Sequence, residues 1–230
     1  GYNLSSKPLN MGDYRIEYLV KDILGLIDYT KREKVILAGH DWGAIIAWCL
    51  AIMHPERVQK LLIVNVPHPL SFYHFYANDK EQYKRSTYIR NFQMPFFPQR
   101  KIAANNFELF CTMFKKSANE GSFTDETLEA YKKAWNDAGT MNCMLNWYRA
   151  LFQRAPNFKK YNCNVDLETL IIWGKKDHAL KHEMAADSLK YAKNARLEYF
   201  EDASHWILHE IPEKVNKLMI EFITSKHSLQ

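Results

Sequence analysis

One strand-turn-helix pattern near the start of the chain constrains the fold more than any other feature. Lys34 to Ala38 is typical of a short buried strand, and it runs directly into Gly39-His40-Asp41-Trp42-Gly43. An apolar helix pattern then extends from Ala44 to Met53 and stops before Pro55. A second buried strand pattern follows at Lys60 to Val66. Strands that alternate with helices predict an α/β fold with a mostly parallel sheet flanked by helices.

This alternation is interrupted and then resumes. Between His68 and about Lys160 the sequence has no good strand pattern and is rich in aromatic residues and Met, which predicts a helical insertion. Later strands are predicted at 168–173 and 196–200, with a helix over 181–193 between them and a final helix from Pro212. We therefore expect a partial α/β core formed by 1–66 and 161–230, and a helical cap formed by 67–160.

Composition excludes several classes of protein. Of the 230 residues, 47% are hydrophobic and 25% are charged, which is ordinary for a globular protein. The longest apolar run is far shorter than the roughly 20 residues of a membrane-spanning helix. The net charge is +5, but basic residues alternate with acidic ones and there is no nucleic-acid motif, so no nucleic-acid partner is expected. The four cysteines are widely spaced, which indicates reduced thiols.

Asp41 stands where a nucleophile stands in the pattern G-x-S-x-G between a strand and a helix. Both flanking glycines are expected to permit close approach of the backbone at a strained turn. The backbone N–H of Trp42, at the helix N-terminus, is a candidate oxyanion donor. A carboxylate at this position can displace a leaving group from saturated carbon and form an ester of its own side chain, which water must then hydrolyse.

A base and its partner follow in chain order. Asp177 comes after the third predicted strand and His205 after the fourth. The order nucleophile, acid, histidine predicts that His205 activates water and that Asp177 fixes its tautomer. Asp202 is the nearest competitor of Asp177 for that role. His40 and His178 adjoin the site and are interpreted as structural.

Six motifs together carry a family resemblance. They are Gly39-His40-Asp41-Trp42-Gly43, Val64-Asn65-Val66-Pro67-His68-Pro69, Phe92-Gln93-Met94-Pro95, Leu145-Asn146-Trp147-Tyr148-Arg149, Trp173-Gly174-Lys175-Lys176-Asp177 and Ala203-Ser204-His205-Trp206. On these motifs the chain resembles the epoxide hydrolase branch of the α/β-hydrolase superfamily, and most closely its animal epoxide hydrolase 4-type members. The first motif is shared with haloalkane dehalogenases, and the two within the insertion are more selective.

The resemblance implies two cap tyrosines that bind the epoxide oxygen and donate a proton as the ring opens. The matching positions are Tyr88, five residues before Gln93, and Tyr148. An alkoxide is a very poor leaving group unless it is hydrogen-bonded or protonated, and a phenol with a pKa of about 10 can do both.

The sequence departs from the family pattern in two places. Cys143-Met144 stands where the family has Gly-Pro, so an altered loop before Tyr148 is expected. The His-Gly-x-Pro motif, which supplies a second oxyanion donor in the family, is not found in this sequence. Because Gly1-Tyr2 resembles a family segment that follows an early strand, the chain is expected to be an N-terminally truncated fragment with an exposed apolar edge at Val35 to Ala38.

These features favour an epoxide hydrolase that needs no metal or cofactor and converts a hydrophobic epoxide, such as a lipid-derived one, to a vicinal diol. Two alternatives stay open. A haloalkane dehalogenase would use the same Asp41 and His205, and a truncated homologue would have no catalytic activity. The resemblance also implies a membrane anchor upstream of this chain, with a cytosolic protein as the alternative.

Overall fold

The computed structural model describes residues 1–225. Within them four strands form one parallel sheet in the order β1-β2-β3-β4. Their bounds are β1 Val35–His40, β2 Val58–Val64, β3 Glu168–Gly174 and β4 Ala195–Phe200. The two inner strands are almost continuously apolar and buried, as expected for parallel strands covered on both faces. β1 lies at the edge of this sheet, as the sequence predicts, but it is half-buried and not fully exposed.

Helices cover both faces of the sheet. One face packs against α1 Ile16–Tyr29, α2 Trp42–Met53 and α9 Glu183–Ser188. The other face packs against α10 Ile207–Glu210 and α11 Pro212–Thr224. Successive residues of the inner strands point to opposite faces and contribute to both layers.

The segment between β2 and β3 is helical. Its helices are α3 Pro69–Asn78, α4 Lys80–Arg85, α5 Thr87–Asn91, α6 Phe97–Ser117, α7 Asp125–Trp135 and α8 Thr140–Gln153. Part of it has its own apolar cluster, which includes Phe110, Trp135 and Leu145. The stretch 67–160 is thus mainly helical, and its role as a separate cap stays a prediction.

One predicted helix start is confirmed, and one predicted helix length is wrong. Pro212 occupies the first turn of α11, as predicted, while the Thr124 side chain caps α7. The helix predicted over 181–193 extends only over Glu183–Ser188. The chain leaves the helical path because the Tyr191 carbonyl accepts a hydrogen bond from Val165 N–H and the Tyr191 ring stacks on His68.

No helix within residues 1–225 is both long enough and apolar enough to cross a bilayer. The same residues contain no cluster of His, Cys, Asp and Glu side chains that could hold a metal ion. All four cysteines are free thiols.

Candidate active site

The topology of the sheet places the candidate residues at one edge. In a parallel sheet all strands end on the same side, and the chain turns that follow these ends meet there. Asp41 directly follows β1, Asn65 directly follows β2, Asp177 follows β3 and His205 follows β4. Residues far apart in sequence are therefore neighbours in space.

Asp41 occupies a strained position between β1 and α2. Its φ is 51° and its ψ is −128°, a conformation that costs free energy for any residue with a side chain. A Cβ atom on Gly39 would lie 2.5 Å from the Gly43 carbonyl oxygen, so only glycine fits there. The prediction of a close backbone approach at Gly43 is wrong, because a Cβ atom at that position, in the first turn of α2, would meet no atom within 4 Å apart from its chain neighbours and the backbone of its own helix.

The Asp41 carboxylate faces a cavity and is held in its charged form. Its side chain is 51% exposed, while the neighbouring Trp42 is buried. Burial alone would raise the pKa of Asp41, but the His205 ring and the Trp42 backbone N–H outweigh it and lower the pKa. The carboxylate is thus available as a nucleophile over a wide pH range.

His205 lies between two carboxylates. Its Nδ1 is 2.7 Å from Asp177 Oδ2, and its Nε2 is 3.6 Å from Asp41 Oδ1. The contact with Asp177 is a short hydrogen bond. The distance to Asp41 is too long for a direct hydrogen bond, but the two groups are close enough to interact through their charges. The structure thereby brings together the three residues that the sequence predicts as nucleophile, base and acid.

Asp177 is buried, and both of its carboxylate oxygens are satisfied. Oδ1 accepts hydrogen bonds from Ala179 N–H and Leu180 N–H, and Oδ2 accepts from Asn65 Nδ2 as well as from the His205 ring. Burial would raise the pKa of Asp177, but the charge of His205 and these hydrogen bonds lower it. Four donors fix the carboxylate in one orientation.

Asn65 is a positioning residue whose role was not predicted from the sequence. It is fully buried, with a φ of 49°, and its Nδ2 donates to Asp177 Oδ2 at 2.9 Å. Its Oδ1 accepts from Gly174 N–H at 2.9 Å, so one side chain ties the end of β2 to the turn that carries Asp177. Two sequence features could have indicated this role: Asn65 directly follows a buried strand, and it belongs to the motif Val64-Asn65-Val66-Pro67-His68-Pro69.

The other acidic and histidine candidates take different positions. Asp202 is exposed and pairs with Lys176, 2.9 Å away, so it does not compete with Asp177 for His205. His40 Nε2 lies 2.8 Å from the His205 carbonyl oxygen. Burial and the charge of His205 lower the pKa of His40 to about 4, so it stays neutral and donates this hydrogen bond. His178 is exposed.

Tyr88 and Tyr148 meet above Asp41. Their ring centroids are 6.0 Å apart, edge to face, and the Tyr148 ring packs edge-on against Trp42 at 5.0 Å. Both tyrosines line the same cavity as Asp41. Burial and the Asp41 carboxylate raise the pKa of each phenol, which keeps both protonated and able to donate.

Arg149 and Gln93 explain why the two insertion motifs occur together. The Arg149 guanidinium donates to the carbonyl oxygens of Phe92 and Met94, both at 2.9 Å. Gln93 Nε2 donates to the Tyr148 carbonyl oxygen at 3.3 Å. These bonds fix the segment after Tyr88 against the helix that carries Tyr148.

The prediction of an altered loop before Tyr148 is wrong. Residues 143 and 144 lie inside α8, which begins at Thr140 after Gly139 with a φ of 84°. Cys and Met can continue a helix where Gly and Pro would end it. The Cys143 side chain is buried against Tyr14 and helps to fix the start of α8.

The cavity in front of Asp41 has a volume of about 360 Å³. Its wall is largely aromatic and aliphatic, from α2, α3, α5 and the end of α8. Among the lining residues within 1–225, Asp41 alone carries a charged side chain. Such a cavity fits an uncharged apolar ligand.

His205 makes the free energy of unfolding dependent on pH. Burial alone would lower the pKa of the imidazole, but Asp177 and Asp41 raise it from 6.5 to about 10. A group whose pKa is raised by folding adds stability that is complete below its unfolded pKa and is lost as the pH rises through its folded pKa. We expect the contribution of His205 to be complete below pH 6.5 and to disappear towards pH 10.

Asp41→Ala is expected to lower the pKa of His205, because it removes one of the two carboxylates beside the ring. An NMR titration of the imidazole protons measures this shift directly. Asp202→Ala removes the same charge from an exposed position and should leave the His205 pKa unchanged. An Asp41→Ala protein with the wild-type pKa would contradict the coupling.

Comparisons with known proteins identify the family of the chain. The α/β hydrolase fold family matches residues 1–212. The chain is 37% identical to the AB hydrolase superfamily protein YfhM of Bacillus subtilis, over 98% of this chain and 78% of that protein. It is 35% identical to epoxide hydrolase 2 of Caenorhabditis elegans and 34% identical to human epoxide hydrolase 4. The alignments cover 97% of this chain but only 64% and 62% of those two proteins.

Solved structures extend the comparison to the fold. The epoxide hydrolase of Bacillus megaterium, in complex with an inhibitor, has a TM-score of 0.88 and 32% identity, over 98% of this chain and 81% of that one. A variant of the same enzyme, complexed with a naphthyloxy-propanediol product, has a TM-score of 0.87. By sequence and by fold, this chain belongs to the epoxide hydrolase branch of the α/β-hydrolase family.

Proposed function

We propose that the chain hydrolyses a hydrophobic epoxide to a vicinal diol through a covalent ester on Asp41. The observation that carries the proposal is that Asp41, Tyr88 and Tyr148 line one apolar cavity, with His205 and Asp177 behind the carboxylate. A nucleophile, proton donors for the departing oxygen and a base for water are the groups that this two-step reaction needs.

In the first step the Asp41 carboxylate attacks the less hindered carbon of the epoxide. A new C–O bond forms to Asp41, and the C–O bond of the ring breaks. The departing oxygen takes a proton from a phenol of Tyr88 or Tyr148, and the His205 cation returns a proton to that phenolate. The product is a hydroxyalkyl ester of Asp41 next to a neutral His205.

In the second step His205 accepts a proton from water as the water oxygen attacks the ester carbonyl carbon. The Trp42 backbone N–H, which already interacts with the Asp41 carboxylate, stabilises the negative charge that develops there. The bond from the carbonyl carbon to the alkyl oxygen then breaks, the departing oxygen takes the second proton of the attacking water, and the diol is released. Asp41 is again a carboxylate and His205 again a cation.

The charge of Asp41 couples the two steps. While Asp41 is ionised, the two carboxylates keep His205 protonated near neutral pH. Formation of the ester neutralises Asp41, and the pKa of His205 falls because one neighbouring anion is gone. His205 therefore becomes able to act as a base once the ester has formed.

The tyrosine pair favours an epoxide over an alkyl halide. A halide leaves as a stable anion and needs no proton, whereas the oxygen of an opening epoxide does. An epoxide therefore needs a proton donor, and the protonated phenols of Tyr88 and Tyr148 line the same cavity as Asp41.

Tyr148→Phe is expected to lower the kcat for an apolar epoxide by about 10²-fold, the effect of removing one donor to a developing oxyanion while a second stays. Diol formation from styrene oxide measures the loss. Tyr29→Phe alters an exposed tyrosine outside the cavity and should change nothing. Epoxide turnover that is unaffected by Tyr148→Phe, or halide release from 1-chlorohexane without diol formation, would favour the dehalogenase.

A further inference from the structure

The cavity extends from Asp41 along one side of α2. Asp41, Ile45 and Cys49 all line it, at a spacing of four residues. Residues four apart lie on the same side of a helix, and each such step advances about 6 Å along the axis. Ile45 is therefore about 6 Å from the nucleophile along the helix, and Cys49 about 12 Å.

A second helix, α8, also lines the cavity, and along the sequence its reacting residue comes first as it does in α2. The lining residues of α8 and of the segment after it begin at Tyr148 and continue with Leu151, Phe152 and Ala155. Tyr148 lies at the reactive end, so the lining residues that follow lead away from it. Both helices thus place their reacting residue first and apolar residues after it.

Aromatic contacts close the third side. Phe72 and Tyr76 of α3 stack at 5.7 Å, and Tyr76 meets Phe152 edge to face at 5.8 Å. The walls formed by α3 and α8 therefore contact each other at Tyr76 and Phe152. A largely apolar lining of this kind accommodates an alkyl chain.

Cys49 marks the far point of this passage on α2. Its side chain is only 1% exposed and borders the cavity, while the helix beyond it, including Leu50, Ala51 and Ile52, is buried in the core. Burial raises the pKa of the thiol, so it stays neutral and acts as a small apolar group. A larger side chain at position 49 would fill the end of the cavity.

We infer that the face of α2 formed by Asp41, Ile45 and Cys49 limits the length of an unbranched alkyl substituent on one epoxide carbon. This inference rests on the proposed function for the reactive end and specifies the substrate further. An extended alkyl chain advances about 1.3 Å per carbon with C–C bonds of about 1.5 Å, so Cys49 corresponds to about nine carbons and Ile45 to about five.

Binding of straight-chain primary alcohols tests the length limit without any turnover. In calorimetric titrations from butanol to dodecanol, wild-type affinity should rise about fourfold per methylene and stop rising near nine or ten carbons. Cys49→Phe should move this limit to shorter chains, and Ile45→Phe should move it further still. Cys49→Ala should keep the limit at the wild-type length or extend it.

Cys111→Phe provides the matched control. It is the same substitution at a half-buried cap position that does not line the cavity, and it should leave the limit unchanged. Unfolding curves identify the variants that are folded. If folded Cys49→Phe and Ile45→Phe proteins bind the whole series as the wild type does, or lose short and long alcohols equally, the length limit is refuted.

The matching series of 1,2-epoxyalkanes separates this inference from the proposed function. A shifted limit in alcohol binding without any diol formation would support the length limit and refute the epoxide hydrolase. Diol formation with no chain-length limit in either series would refute the length limit and support the epoxide hydrolase.

Discussion

Asp41→Ala should reduce diol formation from styrene oxide by at least about 10⁴-fold, the order of loss caused by removing a covalent nucleophile from a catalytic triad. The tyrosines and His205 would still surround the epoxide, but no carboxylate in the cavity could form the ester. Chromatographic measurement of the diol over long incubations gives the residual rate.

The control for this variant is Asp202→Ala. Asp202 is an exposed carboxylate whose ion pair with Lys176 contributes little to stability, so its loss should leave turnover at the wild-type level. Asp41→Ala keeps the Cβ atom and removes only a carboxylate that is half exposed to the cavity, so the fold should tolerate it. A folded Asp41→Ala protein that retains more than a tenth of wild-type turnover would eliminate the covalent mechanism.

His205→Ala should stop the reaction after its first step. Asp41 remains ionised and able to attack, but without a base the hydrolysis of the ester slows by about 10²- to 10⁴-fold. The intact mass of the protein should then increase by the mass of the whole epoxide, and peptide mapping should place the addition on Asp41. The wild-type protein should show no accumulated adduct under the same conditions.

The same variant distinguishes the alternative chemistries. Exposure to 1-chlorohexane would add an alkyl group without its halide if the chain were a dehalogenase. His178→Ala alters an exposed histidine next to Asp177 and should accumulate no adduct. A folded His205→Ala protein that gains no mass from either reagent would favour the non-catalytic homologue.

Chain order was sufficient to predict that Asp41, Asp177 and His205 lie close together. Parallel strands end at one edge of a sheet, so residues that follow predicted strands are expected to converge, and Asp41, Asp177 and His205 do so. The need for glycine at position 39, two residues before Asp41, was equally predictable, and a side chain there would collide with the start of α2. The tyrosine pair was different, because only the family resemblance selected Tyr88 and Tyr148 among many tyrosines.

The remaining features depend on contacts between distant segments. Asn65 acts through its hydrogen bonds to Asp177 and Gly174, and no local pattern reports such partners. The early end of α9 has the same kind of cause, since Val165 and His68 hold Tyr191 outside a helix. The local sequence periodicity indicates that a helix can form, but contacts with distant residues determine where that helix ends.

The protonated thiol of Cys49 also bears on chemoselectivity. Epoxides alkylate thiolates readily, so in the proposed reaction a reactive cysteine in the cavity wall would consume the epoxide and inactivate the protein. Thiolate is the nucleophilic form of cysteine, and burial raises the pKa of Cys49 while His205 and the Trp42 N–H lower the pKa of Asp41. Asp41 is ionised, and the ester it forms can be hydrolysed. Cys49 is protonated, so it does not form the thioether that would permanently block the cavity.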